Sequence, residues 1–181
     1  PGVEAISGTG LVLDLAGLIA LSGDLAFDLS GDELLAVGSD LSASLVLGGF
    51  TAGFADGSFA LRINDDGTLA LSASASALVL TGAGFASASA TRVNVAYNTT
   101  GVAVDDAVSI GSLSGRIEAD SGNATTPFFA FEALGVSVEL AGLLTVSGDF
   151  SFRRATTSDG DTVVRIAVSD LTASLGDGNA S

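Results

Sequence analysis

Residues Leu11–Phe27 read LVLDLAGLIALSGDLAF, and residues Val136–Phe152 read VSVELAGLLTVSGDFSF. The offset is 136 − 11 = 125 residues, and eight of the seventeen positions are identical, among them Leu15/Leu140, Gly17/Gly142, Ser22/Ser147, Gly23/Gly148, Asp24/Asp149 and Phe27/Phe152. In the first copy Ile19, Leu21, Leu25, Phe27 and Leu29 fall on one parity, and Ser22, Asp24 and Asp28 on the other. In the second, Leu144, Val146, Phe150 and Phe152 alternate with Thr145, Ser147, Asp149, Ser151 and Arg153. A period of two is the mark of a pleated strand with one apolar face.

The likeness resumes downstream, where Ser39-Asp40-Leu41-Ser42-Ala43-Ser44-Leu45 returns as Ser169-Asp170-Leu171-Thr172-Ala173-Ser174-Leu175. Here the offset is 169 − 39 = 130, so 130 − 125 = 5 residues are gained around Arg154–Thr162. An odd insertion inside a paired strand would turn its apolar side chains to the wrong face. The extra residues are therefore expected in a turn, between Leu29-Ser30-Gly31-Asp32 in the short copy and Ala155–Asp161 in the long one. Both stretches are rich in turn formers, which favours antiparallel hairpins.

Outward from these blocks the same period continues. Phe59, Leu61 and Ile63 oppose Ser58 and Arg62, and Val93, Val95 and Tyr97 oppose Arg92 and Asn94. Gly- and Asp-rich breaks recur at strand length, and no window carries a 3.6-residue stripe, so the chain is expected to be all-β with roughly ten or more strands and no significant helix. The expected architecture is an antiparallel, hairpin-built set of extended β repeats, stacked as a sandwich or roll, with a solenoid-like array as the alternative. Residues 1–135 would form a first repeat unit with its core at 11–135. Residues 136–181 would begin a second copy, packed continuously on the first. The apolar parity switches between Phe85 and Val93 and again around Glu132–Leu134, which predicts bulges or bends. The small Ala/Ser faces of residues 70–77 predict close approach of another β layer.

Composition excludes much chemistry. The chain of 181 residues has no Cys, His, Met or Trp, and all six of its positive charges are Arg. Thiolate nucleophiles, imidazole bases, Schiff-base lysines and the usual zinc, haem and iron–sulfur ligands are thus absent. Against 21 Asp and Glu the net charge is −15, which repels nucleic-acid phosphates and invites divalent cations. An apolar content of 48% argues for a folded core. Gly67–Thr91 runs without a charge, but Leu71–Ala77 alternates strictly, so this stretch is expected to form strands and no membrane span. No secretory leader is legible in Pro1–Gly10, and a chain without Met is expected to be a processed form or a piece of a longer protein.

Acidic turns supply the candidate metal ligands. Asn64-Asp65-Asp66-Gly67, Asp105-Asp106 and Ser158-Asp159-Gly160-Asp161 place hard oxygens at turns, and Asp65, Asp66, Asp159 and Asp161 are the candidate calcium ligands, with solvated turns as the alternative. Asp14 and Glu139 occupy equivalent repeat positions and read as outward-facing strand carboxylates. Ser22-Gly23-Asp24 and Ser147-Gly148-Asp149 lack a base to activate the serine, and their glycines predict a bulge or close backbone approach. Asn98-Thr99-Thr100, Asn123-Ala124-Thr125 and Asn179-Ala180-Ser181 match the glycosylation acceptor pattern. Arg153-Arg154 reads as local charge compensation.

The set L-A-G-L-x-x-x-S-G-D-F-x-F at Leu140–Phe152, S-D-L-x-x-S-L-G-D-G at Ser169–Gly178 and R-V-N-V-A-Y-N-T-T-G at Arg92–Gly101 resembles tandem repeats of giant bacterial secreted and cell-surface proteins. These are large proteins carrying an LEPR-XLL domain or hemolysin-type calcium-binding regions. The resemblance covers nearly the whole chain and implies an extracellular or bacterial cell-surface location, many copies and calcium dependence. The glycine-aspartate nonapeptides that bind calcium in hemolysin-type rolls are absent from this chain.

The function expected from these readings is a non-catalytic structural or adhesive repeat, an extended acidic β scaffold without enzymatic activity. It would need no required cofactor, with calcium as a candidate ligand. Its partners would be neighbouring repeats of the same polypeptide or identical chains. A calcium- or glycan-binding surface module is the alternative.

Overall fold

The structure, a computed structural model, describes residues 4–15, 19–82, 86–157 and 159–176. It is all-β, as expected. Nine strands form one antiparallel sheet, in the order β1 (Glu4–Leu15), β2 (Ile19–Ser30), β3 (Glu33–Leu47), β4 (Phe50–Asn64), β5 (Leu69–Gly82), β6 (Ala86–Thr100), β9 (Asn123–Leu140), β10 (Leu144–Thr156) and β11 (Thr162–Leu175). Between β6 and β9 the chain leaves the sheet as a separate hairpin, β7 (Val104–Ile110) and β8 (Leu113–Ala119). The sheet is an open meander: β1 and β11 are its edges, and it does not close into a barrel.

The two similar sequence blocks take the same pairing register. Ser22 opposes Ser42 and Asp24 opposes Ser39, while their counterparts Ser147 and Asp149 oppose Thr172 and Ser169. The inserted residues fall in a turn. Ser30 pairs with Glu33 across a two-residue turn, whereas the equivalent Ala155 pairs with Val163 and the hairpin extends to Thr156–Thr162 before turning. The Thr157 amide donates to Asp161 O at 2.9 Å to close that longer loop.

A line of bulges crosses the sheet. Gly10, Asp40, Asp56, Ala77, Gly135 and Asp170 all have φ near the left-handed region, between 49° and 60°. Asp tolerates that conformation better than most residues, and Gly pays no Cβ penalty. Extra residues on these strands shift the register and re-aim the side chains beyond them. The parity switch at Glu132–Leu134 is the bulge at Gly135, and the switch before Val93 lies where β6 faces it.

The repeated Ser-Gly-Asp is a clamp on this line. Ser22 and Ser42 hydroxyls bond at 2.8 Å, as do Ser147 and Thr172 at 2.6 Å. A Cβ on Gly23 would lie 2.9 Å from Leu41 Cα, so only glycine admits the neighbouring bulge. Asp24 Oδ1 accepts the Gly10 amide at 2.6 Å, and Asp149 Oδ1 accepts the Gly135 amide at 2.7 Å. The bulged amides, which lose their ladder partners, are thereby satisfied.

Two rows of side chains show how differently the two faces of the sheet are clothed. On one face the row Ala26, Val37, Ala60, Ser72, Ala96, Ala130 and Arg153 crosses successive strands. The hairpin lies over this face and runs across the strands: a Cβ on Gly111 would reach Ser7 Oγ at 4.0 Å, and one on Gly115 would reach Ala60 Cβ at 2.9 Å. Further along, the Ser72 hydroxyl donates to Glu118 O at 3.1 Å. Small residues beneath let β8 sit close, and Val104, Val108, Ile110, Leu113 and Ile117 fill the space against Ala26, Val37, Ala60 and Ala70. The Ala/Ser stretch at 70–77 thus contributes to close layer contact, through Ala70 and Ser72.

Asn98 fixes both ends of the hairpin. It is fully buried, and its Nδ2 donates to Val102 O at 2.6 Å and Asp120 O at 2.8 Å. Its Oδ1 accepts the Thr100 amide at 2.8 Å, which leaves the side chain satisfied. Arg62 adds an ion pair to Asp106 at 2.9 Å, and Arg153 pairs with Asp120.

On the opposite face the row is Gly8, Leu25, Gly38, Phe59, Ala73, Val95, Phe131, Phe152 and Ile166, without one charge across nine strands. The next row, from Ile6 and Phe27 through Leu71, Tyr97 and Phe129 to Val164, carries a single charge, Arg154. Packing across the sheet comes from β7 and β8, which belong to the first face.

Candidate functional site

Beside β8, on the side away from β7, the hairpin face of the sheet is left open. The result is a groove of about 840 Å³, walled by Ser114, Gly115, Arg116, Glu118 and Ala119 on one side and Phe128 and Arg153 on the other. Strand alternation puts Ser58, Ser74, Asn94, Glu132 and Ser151 on its floor. The floor is self-bonded in part: Ser58 and Ser74 hydroxyls lie 3.0 Å apart, and Asn94 Nδ2 donates to Glu132 Oε2 at 2.8 Å. Glu118 holds its backbone against Ser72, its amide donating to Ser72 Oγ at 2.8 Å. The charged rim is balanced in places, by Arg116 with Asp105 and Arg153 with Asp120. Arg153 also lies 5.2 Å over the Phe128 ring. Hydroxyls, one amide and carboxylates suit hydrogen bonding to a polar ligand, and the groove holds no thiol, imidazole or amine.

The candidate calcium ligands lie in two separate turns. Asp65 and Asp66 sit between β4 and β5, and Asp159 and Asp161 between β10 and β11. Both turns are at the same end of the sheet, but β6 and β9 stand between them in the strand order. Asp66 is engaged in its own turn: its Oδ1 accepts the Thr68 hydroxyl at 2.6 Å and the Thr68 amide at 2.9 Å. These bonds, the hydroxyl's first, hold its carboxyl below the usual carboxylate range. Among the described residues no group of three or more acidic side chains is arranged to hold a metal ion.

The other sequence candidates are spread out as well. Asp14 on β1 and Glu139 on β9 are six strand intervals apart. Asp105 and Asp106 are in the hairpin, paired with Arg116 and Arg62. Of the acceptor patterns, Asn98 is buried in the hairpin anchor, and Asn123 Oδ1 accepts the Thr125 and Thr126 amides at 2.9 Å. Asn179 lies outside the described residues.

Sequence reasoning did not single out the groove residues Ser58, Ser74, Glu132 and Ser151, because each looks like an ordinary outward strand position. Only the hairpin's place over the sheet turns them into one floor. The chain matches no family model, no curated protein and no solved structure. Among the described residues no helix is long and apolar enough to cross a membrane.

Proposed function

We propose that this chain is a non-catalytic structural repeat, a length of acidic β scaffold from a large extracellular or bacterial cell-surface protein. The observation that carries the reading is the matched register of the two blocks within one continuous sheet. β9 is the counterpart of β1, and its outer side is filled by β6; the same side of β1 is an open edge. β11 is the counterpart of β3, whose outer side is filled by β4; the same side of β11 is also an open edge. Each open edge therefore has, within this chain, a strand that fills the equivalent position. Copies would extend the sheet strand by strand and share stability with their neighbours. The resemblance to giant surface-protein repeats supports the location, and the charge of −15 would keep a long array soluble.

The test is to append residues 46–135 after Leu175, which supplies a β4-like strand and its successors to the β11 edge. The extended chain is expected to unfold in one transition at a higher denaturant midpoint, with a larger m-value from the added buried surface. An appended segment that is digested by protease while the parent survives would refute the reading.

A second reading is favoured by the groove beside β8. Its floor of serines, Asn94 and Glu132 fits a polar ligand such as a glycan. A melting temperature that rises with an oligosaccharide series, and that loses the rise in Asn94→Ala or Glu132→Ala, would select this reading.

A further inference from the structure

The apolar face opposite the hairpin is the largest feature of the fold that the scaffold reading leaves unused. It combines aromatic and branched side chains on successive strands, and many are well exposed: Phe27 is 41% accessible, Val164 52% and Ile166 73%. Beyond the bulges a third row, Leu45, Ala52, Leu80, Ala88, Val138, Val146 and Ala173, is also apolar. Nine strands at ~4.8 Å and three residue rows at ~6.8 Å give a footprint of roughly 40 by 20 Å, about 800 Å². That matches the ~800 Å² per partner typical of stable protein interfaces, and exceeds the few hundred Å² of ordinary exposed apolar patches.

The two sequence blocks show that this face is maintained separately from the other. Under the hairpin the first block has Ala26, Leu35 and Val37; where no hairpin lies above, the second block has Ser151, Arg165 and Ala167. Apolar side chains are given up there once cover is absent. On the opposite face the second block keeps Phe152 for Phe27 and gains apolar volume with Phe150 for Leu25, Ile166 for Ala36 and Val168 for Gly38, against Val164 for Leu34 and Arg154 for Leu29 at its end. An uncovered strand face that keeps or gains apolar volume at these positions calls for cover from outside this chain's described residues.

We propose that the cover is the same face of a second copy of this chain, forming a two-sheet sandwich about a two-fold axis. A partner for this face must itself be broad, flat and apolar, and this chain possesses one such surface. The acidic side chains reside on the hairpin face, turns and edges, so two copies repel least where these apolar faces, with Arg154 the single charge in their two rows, meet. Aligned packing of sheets about 10 Å apart would bury these rows without breaking a strand hydrogen bond. The association is isologous and leaves the edges β1 and β11 open. It depends on the face alone and holds whether or not the chain belongs to a longer array.

The test is sedimentation of the full chain with two face variants and one control. At about 10 µM the chain is expected to be dimeric, with dimerisation strengthened by salt as charge repulsion is screened. Ile166→Lys, on the exposed edge strand, and Phe131→Lys, in the interior of the row, are expected to weaken the dimer roughly tenfold or more. Ala167→Lys, one residue away on the other face, is expected to leave it unchanged. Because Ile166 lies on an edge and is already exposed, its variant decides the matter even where Phe131→Lys fails to fold. The chain has no cysteine, so Val95→Cys offers a direct probe: oxidation is expected to give a disulfide-linked dimer only if the face centres meet. A chain that stays monomeric throughout, a dimer indifferent to Ile166→Lys, or binding to neutral phosphatidylcholine vesicles in place of dimerisation would overturn the proposal.

Discussion

The first block, β1–β2–β3, and the second, β9–β10–β11, share their bulge clamp, their register and an apolar face left bare by the described residues, yet they differ where the hairpin lies. β2 and β3 are covered by β7 and β8, and their covered residues, Ala26 and Val37, are fully buried. The equivalent residues of β10 and β11, Ser151 and Ala167, are half-buried and exposed. Arg153, the counterpart of Asp28, reaches instead to Asp120 at the hairpin's end. Strand geometry is therefore set by features both blocks keep, the Ser-Gly-Asp clamp and the left-handed Asp40 and Asp170. Side-chain polarity on the hairpin face follows local cover.

The contrast breaks most readily under the hairpin. Ile117 is fully buried between hairpin and sheet, and Ile117→Ala is expected to destabilise the chain by about 2–4 kcal/mol. Hydrogen exchange should then quicken in β2–β5 and stay slow in β10; equal quickening in both blocks would mean the hairpin supports the whole sheet. Val37→Ser should cost about 2 kcal/mol by chemical denaturation, and Ala167→Ser less than about 0.5 kcal/mol, although the two positions are equivalent.

The hairpin anchor comes next. Asn98→Ala takes the side-chain donor from the Val102 and Asp120 carbonyls and the acceptor from the Thr100 amide at a fully buried position, and should cost about 2–3 kcal/mol. The bulges sharpen the comparison at smaller scale. Gly10 and Gly135 are equivalent and share the left-handed conformation, with φ of 60° and 58°. A Cβ at Gly10 meets nothing, whereas one at Gly135 collides with Thr91 of β6. Gly10→Ala is expected to cost about 1 kcal/mol, the conformational term alone, and Gly135→Ala clearly more.

The smallest expected effect is a titration. Asp66 has a folded-state pKa held below its ordinary value, so its contribution to stability is present at neutral pH and lost as pH falls through that lowered pKa. Carboxyl NMR should show the low value in the parent chain and a return toward the ordinary range in Thr68→Val. An unchanged titration in Thr68→Val would remove the hydroxyl as its cause.

Much of this fold is legible in the sequence because strands declare themselves by parity. Phe150 and Phe152 against Ser151 and Arg153 fix both strand and face, and the odd insertion at 154–162 can only be a turn. The glycines of Ser-Gly-Asp signal close approach, and the structure supplies the object approached, Leu41. Less legible is the hairpin, since Val104–Ile110 and Leu113–Ala119 alternate like any other strand pair. Nothing local says that they leave the sheet and cross it. The groove is harder still, because its floor is drawn from five strands whose serines are unremarkable one at a time. The repeated Asp40 and Asp170 carried a signal that composition hid: an acidic residue recurring inside an apolar strand marks a backbone that has turned left-handed.

The most direct test of the central claim, that both blocks are one pleated unit used twice, is the pattern of cross-strand NOEs in an isotope-labelled chain. Equivalent contacts are expected at Asp24–Ser39 and Asp149–Ser169, and again at Ala26–Val37 and Ser151–Ala167. A register in the second block displaced from that of the first by even one residue would contradict it.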